Sequence, residues 1–577
     1  MRRAMQVISK LPRWMRAEFV AVVIGAVGCS MSADEKMSSS NSAGDDDDYG
    51  ADPGAEADST GYGANTGMGG GTSMLLDAGT GTGGVPPLPP EEEIENSFRA
   101  PVATGRYLWS ANPESSYVAV VDAAGSSLDV RIVQAGYGPN YLAPVSDPSE
   151  QDRNAAIVLN ELSDDATLMR IDDAGQLETE TFPTHQGANA WAVSSRGQWA
   201  IAWTNAAEIA GADPTEGFQE VTVIPLTGGS EQRLSVGYRP ESVAFNQAET
   251  RAYVVAEPGI TVIDLELMEV TGLVVLTEDP LEDPEGRDVT ITPDGSTALV
   301  SRQGQPEVRF VDLESGTPID VVLDAPVTDL DLSEDGTLAV AAVRDLSQAV
   351  ILPVPGAAED ADLIDVRTFD GETIGSVALT PDGDTALLFT TVAPIATGQN
   401  PTRDHLTILQ TGIDPGDTED ATSLDRRTVS VQTPVRAVFP ADDAEHAIVF
   451  QEVPEGSTRA GAFSVVPLQS QIWPKLVPTD APPRAVAIAP DGEHALVTVR
   501  SDLTDVHGVY LVSMPSLRVD LIPLASPPLA TGIVPAANKG YVAQEHPEGR
   551  ITIIDFDSPG GAPRTLTGFE LATRVTQ

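Results

Sequence analysis

An all-β chain of repeated four-stranded units closed into a ring is what the sequence predicts, on three observations. From about Phe98 to Gln577, short runs rich in Val, Ile and Thr alternate with clusters of Gly, Pro, Asp and Asn. No amphipathic helix longer than two turns is evident there, so the reading is strands and turns. The second observation is a returning phrase: "TPDG" in "DVTITPDGSTALVSR", again in "LTPDGDTALLF", and as "APDG" in "APDGEHALVTV". The third is its spacing, roughly 40–60 residues, the range of propeller blades. One four-stranded sheet cannot bury both of its faces alone, and radial stacking buries them while leaving only short edges. The expected fold is a β-propeller of seven to ten four-stranded blades.

The elements follow in chain order. Residues 1–28 read as an export signal: Arg2, Arg3, Lys10, Arg13 and Arg16 precede the apolar run "FVAVVIGAVG", which is too short to span a bilayer as a helix. The only cysteine, Cys29, follows at once, which rules out an intramolecular disulfide and any Cys-rich metal site. Residues 29–97 are Ser, Gly, Asp and Pro with almost no apolar content, and cannot offset chain entropy by burial. They predict a disordered acidic tether, extended by self-repulsion of its Asp run. Gly79, Gly81 and Gly84 match a dinucleotide-type glycine spacing, but linker precedes them and Pro86-Pro87 follows, so no strand–turn–helix is available to use it.

Residues 98–577 form the repeat domain. The clearest units are "DVTITPDGSTALVSR" with "EVRFVDLESGTPIDVVL", and "AVAIAPDGEHALVTV" with "GVYLVSMPSLRVDLIPL". "VTDLDLSEDGTLAVAAV" and "IGSVALTPDGDTALLFTTV" are equally plain, while "NAWAVSSRGQWAIAW" and "PNYLAPVS" are degraded copies. The domain starts in mid-unit with "GRYLWSANPESSYVAVVDA" and ends on "FELATRVTQ", Phe569–Gln577. The expectation is that this C-terminal strand closes the first blade beside residues 106–111.

The repeated "xPDGxxALV…VxVID" pattern resembles YVTN-type and WD-like β-propellers, the broad superfamily that includes quinoprotein-like and lactonase-like proteins. The likeness covers most of residues 98–577 and speaks to fold, because these folds host binding proteins, scaffolds and several enzymes. "AVGC" at Ala26–Cys29 resembles a bacterial lipobox, although Ala26 stands where Leu is usual. That resemblance implies acylation (palmitate) of Cys29, and Ser30 after it favours the outer membrane or cell surface. The alternative is an ordinary cleaved signal peptide.

Composition limits function. The 86 acidic and 33 basic residues give a net charge of −53, a surface that repels phosphate backbones, so no nucleic-acid partner is expected. The six His form no metal-protease motif, and no nucleophile elbow or phosphate loop is present. His446 and His494 occupy matching repeat positions, which argues for a structural slot. The Asp of each "PDG" reads as turn chemistry: Pro presets φ, Asp bonds local backbone, and Gly supplies positive φ. No metal and no cofactor is expected, except that a weak calcium site at Asp329–Gly336 stays open. Trp191, Trp199 and Trp203 are either an exposed stacking patch or inter-blade packing.

The position just before each first strand borders one mouth of the central channel. It carries Arg239, Arg287 with Asp288, Arg436 and Arg484. Recurring Arg in so acidic a chain makes these the candidate ligand-binding residues, suited to an anion such as a carboxylated or phosphorylated sugar. The alternative is that each pairs with an acidic neighbour such as Asp288 or Glu241. The functional expectation is a non-catalytic binding module, lipid-anchored through Cys29, with an envelope protein or carbohydrate as partner. A channel-mouth enzyme of the lactonase-like or quinoprotein-like sort is the disfavoured alternative, and a structural subunit of an outer-membrane assembly the third.

Overall fold

The computed structural model describes residues 101–569, apart from short segments at 114–115, 126–127, 148–149, 173, 210–217, 278–286, 303, 393–401, 413–424, 454–456, 470–471, 547 and 559–561. The signal segment, Cys29 and the tether lie outside the described residues.

Among the described residues, forty strands fall into ten four-stranded antiparallel sheets, each a simple meander of consecutive strands. We call the strands of each blade A to D. Blades 1 to 10 span residues 102–134, 139–183, 190–235, 240–275, 287–322, 329–368, 376–430, 435–479, 483–523 and 528–567. The A strands of neighbouring blades pack side by side: Val102–Thr104 touches Pro139–Asp147 on one side and Pro528–Val534 on the other. Strand A is therefore innermost, and the ring is closed. Apolar side chains fill the gaps between blades, such as Leu299, Phe310, Leu330, Leu332 and Ala341 between blades 5 and 6. Helical content is confined to single turns such as Gly356–Glu359.

The degraded copies are true blades, since "PNYLAPVS" and "NAWAV" begin the A strands of blades 2 and 3. The expected closing strand needs correction. The position beside Tyr107–Asn112 is taken by Val102–Thr104, so blade 1 is complete from its own segment. This strand is held by burial and by Trp109 Nε1, which donates to Thr104 Oγ1 at 2.7 Å. Residues 570–577 lie outside the described residues, while Phe569 is buried with Ala103, Leu108, Val534 and Tyr541 at the seam of blades 1 and 10. The ring thus closes face to face. Lys539 Nζ donates to Ala123 O at 2.6 Å and Ala124 O at 3.1 Å, Tyr541 Oη to Pro101 O at 2.6 Å, and Arg564 to Gly125 O at 2.6 Å.

The repeated "PDG" is the A-to-B corner. In blade 5, Asp294 Oδ1 accepts from Thr292 Oγ1 (2.7 Å), Ser296 N (2.9 Å) and Ser296 Oγ (2.9 Å). Burial alone would raise this carboxyl, but these hydrogen bonds outweigh it and hold it below the usual carboxylate value. Thr292 Oγ1 also receives Thr297 N at 3.0 Å, so the hydroxyl before the Pro belongs to the turn. Ser333 and Thr380 repeat the bond to Asp335 and Asp382, each at 2.7 Å. Gly295 has φ +73°, and a Cβ there would stand 2.3 Å from Tyr253 Oη of blade 4. The glycine therefore serves both the turn and the close approach of neighbouring corners.

Candidate functional site

Antiparallel meanders put the starts of the A strands and the ends of the B strands on one face of the ring, and the "PDG" corners on the other. All five candidate residues lie on the first face. Arg239 precedes Pro240–Phe245, while Arg287 and Asp288 open Arg287–Ile291. Arg436 and Arg484 are the second residues of Val435–Pro440 and Pro483–Ile488.

Their settings differ. Arg287 is only 3% exposed, and its guanidinium donates to Ala256 O at 3.1 Å and Glu257 O at 2.8 Å, tying blade 5 to blade 4. Asp288 is half-buried opposite Ser301. Arg239 sits 3.7 Å from Glu257, with its guanidinium 5.5 Å from the centre of the Tyr238 ring. Arg436 is 43% exposed and a loose 4.0 Å from Glu452. Arg484 is exposed and forms no ion pair among the described residues.

The structure adds residues that the sequence reading passed over. Glu161, Glu257, Glu452 and Glu545 each follow a B strand, and each donates its backbone N–H to the residue two places before the first residue of the same blade's A strand or one place before it. Arg403 reaches Glu452 at 3.1 Å, Arg500 reaches Glu545 at 3.1 Å, and Asn140 donates to Glu161 at 2.7 Å. This face therefore carries Arg–Glu pairs at Glu257, Glu452 and Glu545. A signal was present: "AEPG", "QEVPEG" and "QEHPEG" each place Glu just before a Pro-containing B-to-C turn.

Other candidates resolve into packing. Trp191 and Trp203 are buried and Trp199 packs partly buried against the same core, which makes them inter-blade filling. In Asp329–Gly336, Asp329 Oδ2 accepts Val377 N at 2.8 Å and Asp331 Oδ2 accepts Leu379 N at 2.7 Å. These carboxylates join blade 6 to blade 7, while Asp335 serves its corner. His185 is buried, with Nδ1 2.9 Å from Thr222 Oγ1 and Nε2 3.2 Å from Thr204 Oγ1. Burial lowers its pKa despite the opposing charges of Glu220 and Asp164. His494 stacks flat on Phe556 of blade 10, ring centres 4.9 Å apart.

The fold defines a ten-bladed β-propeller. No protein-family model matches the sequence, and no curated relative does. Solved propeller-like structures resemble it in fold alone. A eukaryotic initiation factor is 13% identical with a TM-score of 0.46, covering 69% of this chain and 93% of that one. Hydrazine synthase of Kuenenia stuttgartiensis is 14% identical with a TM-score of 0.31, covering 57% and 95%. The Cps50 (Swd1) β-propeller domain of Myceliophteria thermophila is 15% identical with a TM-score of 0.30, covering 54% and 94%.

Proposed function

We propose that this chain is an exported binding protein of the bacterial cell envelope, anchored by a lipid on Cys29 and not catalytic. Its ring presents the Arg-bearing mouth to an anionic ligand, of the class of carboxylated or phosphorylated sugars. The observation that carries this reading is the placement of Arg436 and Arg484 at the same slot of neighbouring blades 8 and 9, both accessible, in a chain of net charge −53. A guanidinium offers a planar fork of donors that matches carboxylate and phosphate oxygens. The buried Arg287 and the paired Arg239 hold the surrounding backbone in place.

Titration calorimetry with uronic-acid oligosaccharides and sugar phosphates tests the mouth. The Arg436→Ala, Arg484→Ala double variant is expected to lose roughly tenfold or more in affinity and much of its salt dependence, as removal of charge-assisted bonds implies. Unchanged binding by the double variant refutes the assignment. Fractionation of cells carrying Cys29→Ser separately tests the anchor, the expected outcome being release from the membrane fraction.

A further inference from the structure

The opposite face of the ring carries a second constellation, at the A-to-B corner of blade 8. There the corner reads "ADDAEHA", where blade 9 has "APDGEHA". Ala444 takes the place of the glycine at φ +57°. Asp443 is the corner carboxylate, and its Oδ1 accepts Glu445 N at 3.0 Å. The carboxylate lies against Gly492 of the next blade, where an added Cβ would stand 2.1 Å from it. Asp443, Glu445 and His446 each offer one ligand atom, and these atoms lie within 4.8 Å of one another.

A cluster of acids on so acidic a surface says little alone. His446 is the independent observation: it is 8% exposed, and its Nδ1 is buried without a hydrogen-bond partner. A buried imidazole nitrogen left unpartnered costs free energy that a bound cation would recover.

We propose that Asp443, Glu445 and His446 form a site for one zinc-class dication, with water completing the coordination. One imidazole and two carboxylates suit a borderline ion, whereas calcium or magnesium would favour an all-oxygen set. Zinc bond lengths would draw the three atoms to roughly 3.3–3.5 Å apart. The two carboxylates are exposed at the corner, with Asp443 already held by Glu445 N. Blade 9 supplies an internal control, because Asp491, Glu493 and His494 repeat the residue types and His494 Nδ1 is likewise buried without a partner, yet its ring stacks on Phe556 and the three do not meet the geometry. Among the described residues, the blade 8 corner is the one group of three that meets the geometry.

The test uses the full chain, stripped with chelator and dialysed against Zn2+ in high salt with excess Mg2+ and Ca2+. The expected result is one tightly held equivalent of Zn2+ in the wild type and in His494→Gln. Glu445→Gln and His446→Gln should bind it at least ~tenfold more weakly. Glu445 is exposed, so its variant keeps the fold and answers even if His446→Gln is destabilised. Zn2+ that Mg2+ displaces from every variant alike, or that Glu445→Gln holds as tightly as the wild type, overturns the site.

Discussion

Two seams of the ring are built on opposite hydrogen-bonding logic. Between blades 6 and 7, the side chains are acceptors: Asp329 and Asp331 cap the backbone amides of Val377 and Leu379 on the exposed edge of the next inner strand. Between blades 10 and 1, they are donors: Lys539, Tyr541 and Arg564 reach carbonyls of residues more than 400 positions away. Asp329 and Asp331 are half-buried, whereas Lys539 and Tyr541 are buried. Both devices satisfy backbone groups left outside the strand ladders: amides on the free edge of an inner strand in blade 7, and in blade 1 the carbonyls of a C-to-D turn and of the residue before the inner strand. The closing seam carries the higher stake, because it must hold without a strand shared between the two ends. It does so by removing donors from water and giving each a fixed carbonyl.

The largest effect should come from breaking the closing seam. Lys539→Met removes the donor to the buried Ala123 carbonyl and to the neighbouring Ala124 carbonyl, and is expected to cost about 3 kcal/mol, read as a lower urea midpoint at unchanged slope. An unchanged midpoint would mean that apolar packing around Phe569 alone closes the ring. A smaller loss is expected at the other seam. Asp331→Ala leaves the Leu379 amide uncapped and should cost about 1–2 kcal/mol, while Asp331→Asn, which keeps an acceptor, should recover most of it. If the two substitutions cost the same, charge matters there more than the hydrogen bond.

The smallest effect tests a third seam, where His185 joins the end of blade 2 to blade 3. Its pKa is lowered by burial from the ordinary 6.5. Above that pH the imidazole is neutral in both states and contributes no pH dependence. As pH falls below it, the unfolded chain takes up a proton that the folded chain refuses, so stability declines towards acid. His185→Gln should show a shallower fall in melting temperature between neutral and acid pH than the wild type. Parallel curves would show that the acidic groups dominate that range.

The degree to which the sequence could be read differs along the chain. Blades 5, 6, 7 and 9 were legible because the bonds of the corner Asp are local: its partners lie two residues away. Val102–Thr104 was not, since a three-residue strand carries too little alternation to signal itself. It becomes a strand only because Tyr107–Asn112 offers an edge and Trp109 covers it. The five mouth residues were placed on one face by repeat phase alone. The acidic partners were not, because Glu257 meets Arg239 across the width of a blade, and Glu452 and Glu545 meet Arg403 and Arg500 between blades.

By itself the sequence determined the strand-and-corner unit, its repetition, and one face bearing Arg239, Arg287, Arg436 and Arg484 at the starts of inner strands. Those properties follow from turn geometry and side-chain period, which act over a few residues. Only the tertiary structure decided that the blades number ten, that blade 1 supplies its own inner strand, and that His494 stacks on an aromatic ring while His446 stands beside two carboxylates. The physical reason is that these outcomes rest on what the next blade presents: Phe556 in one case, and in the other Gly492, against which the Asp443 carboxylate lies.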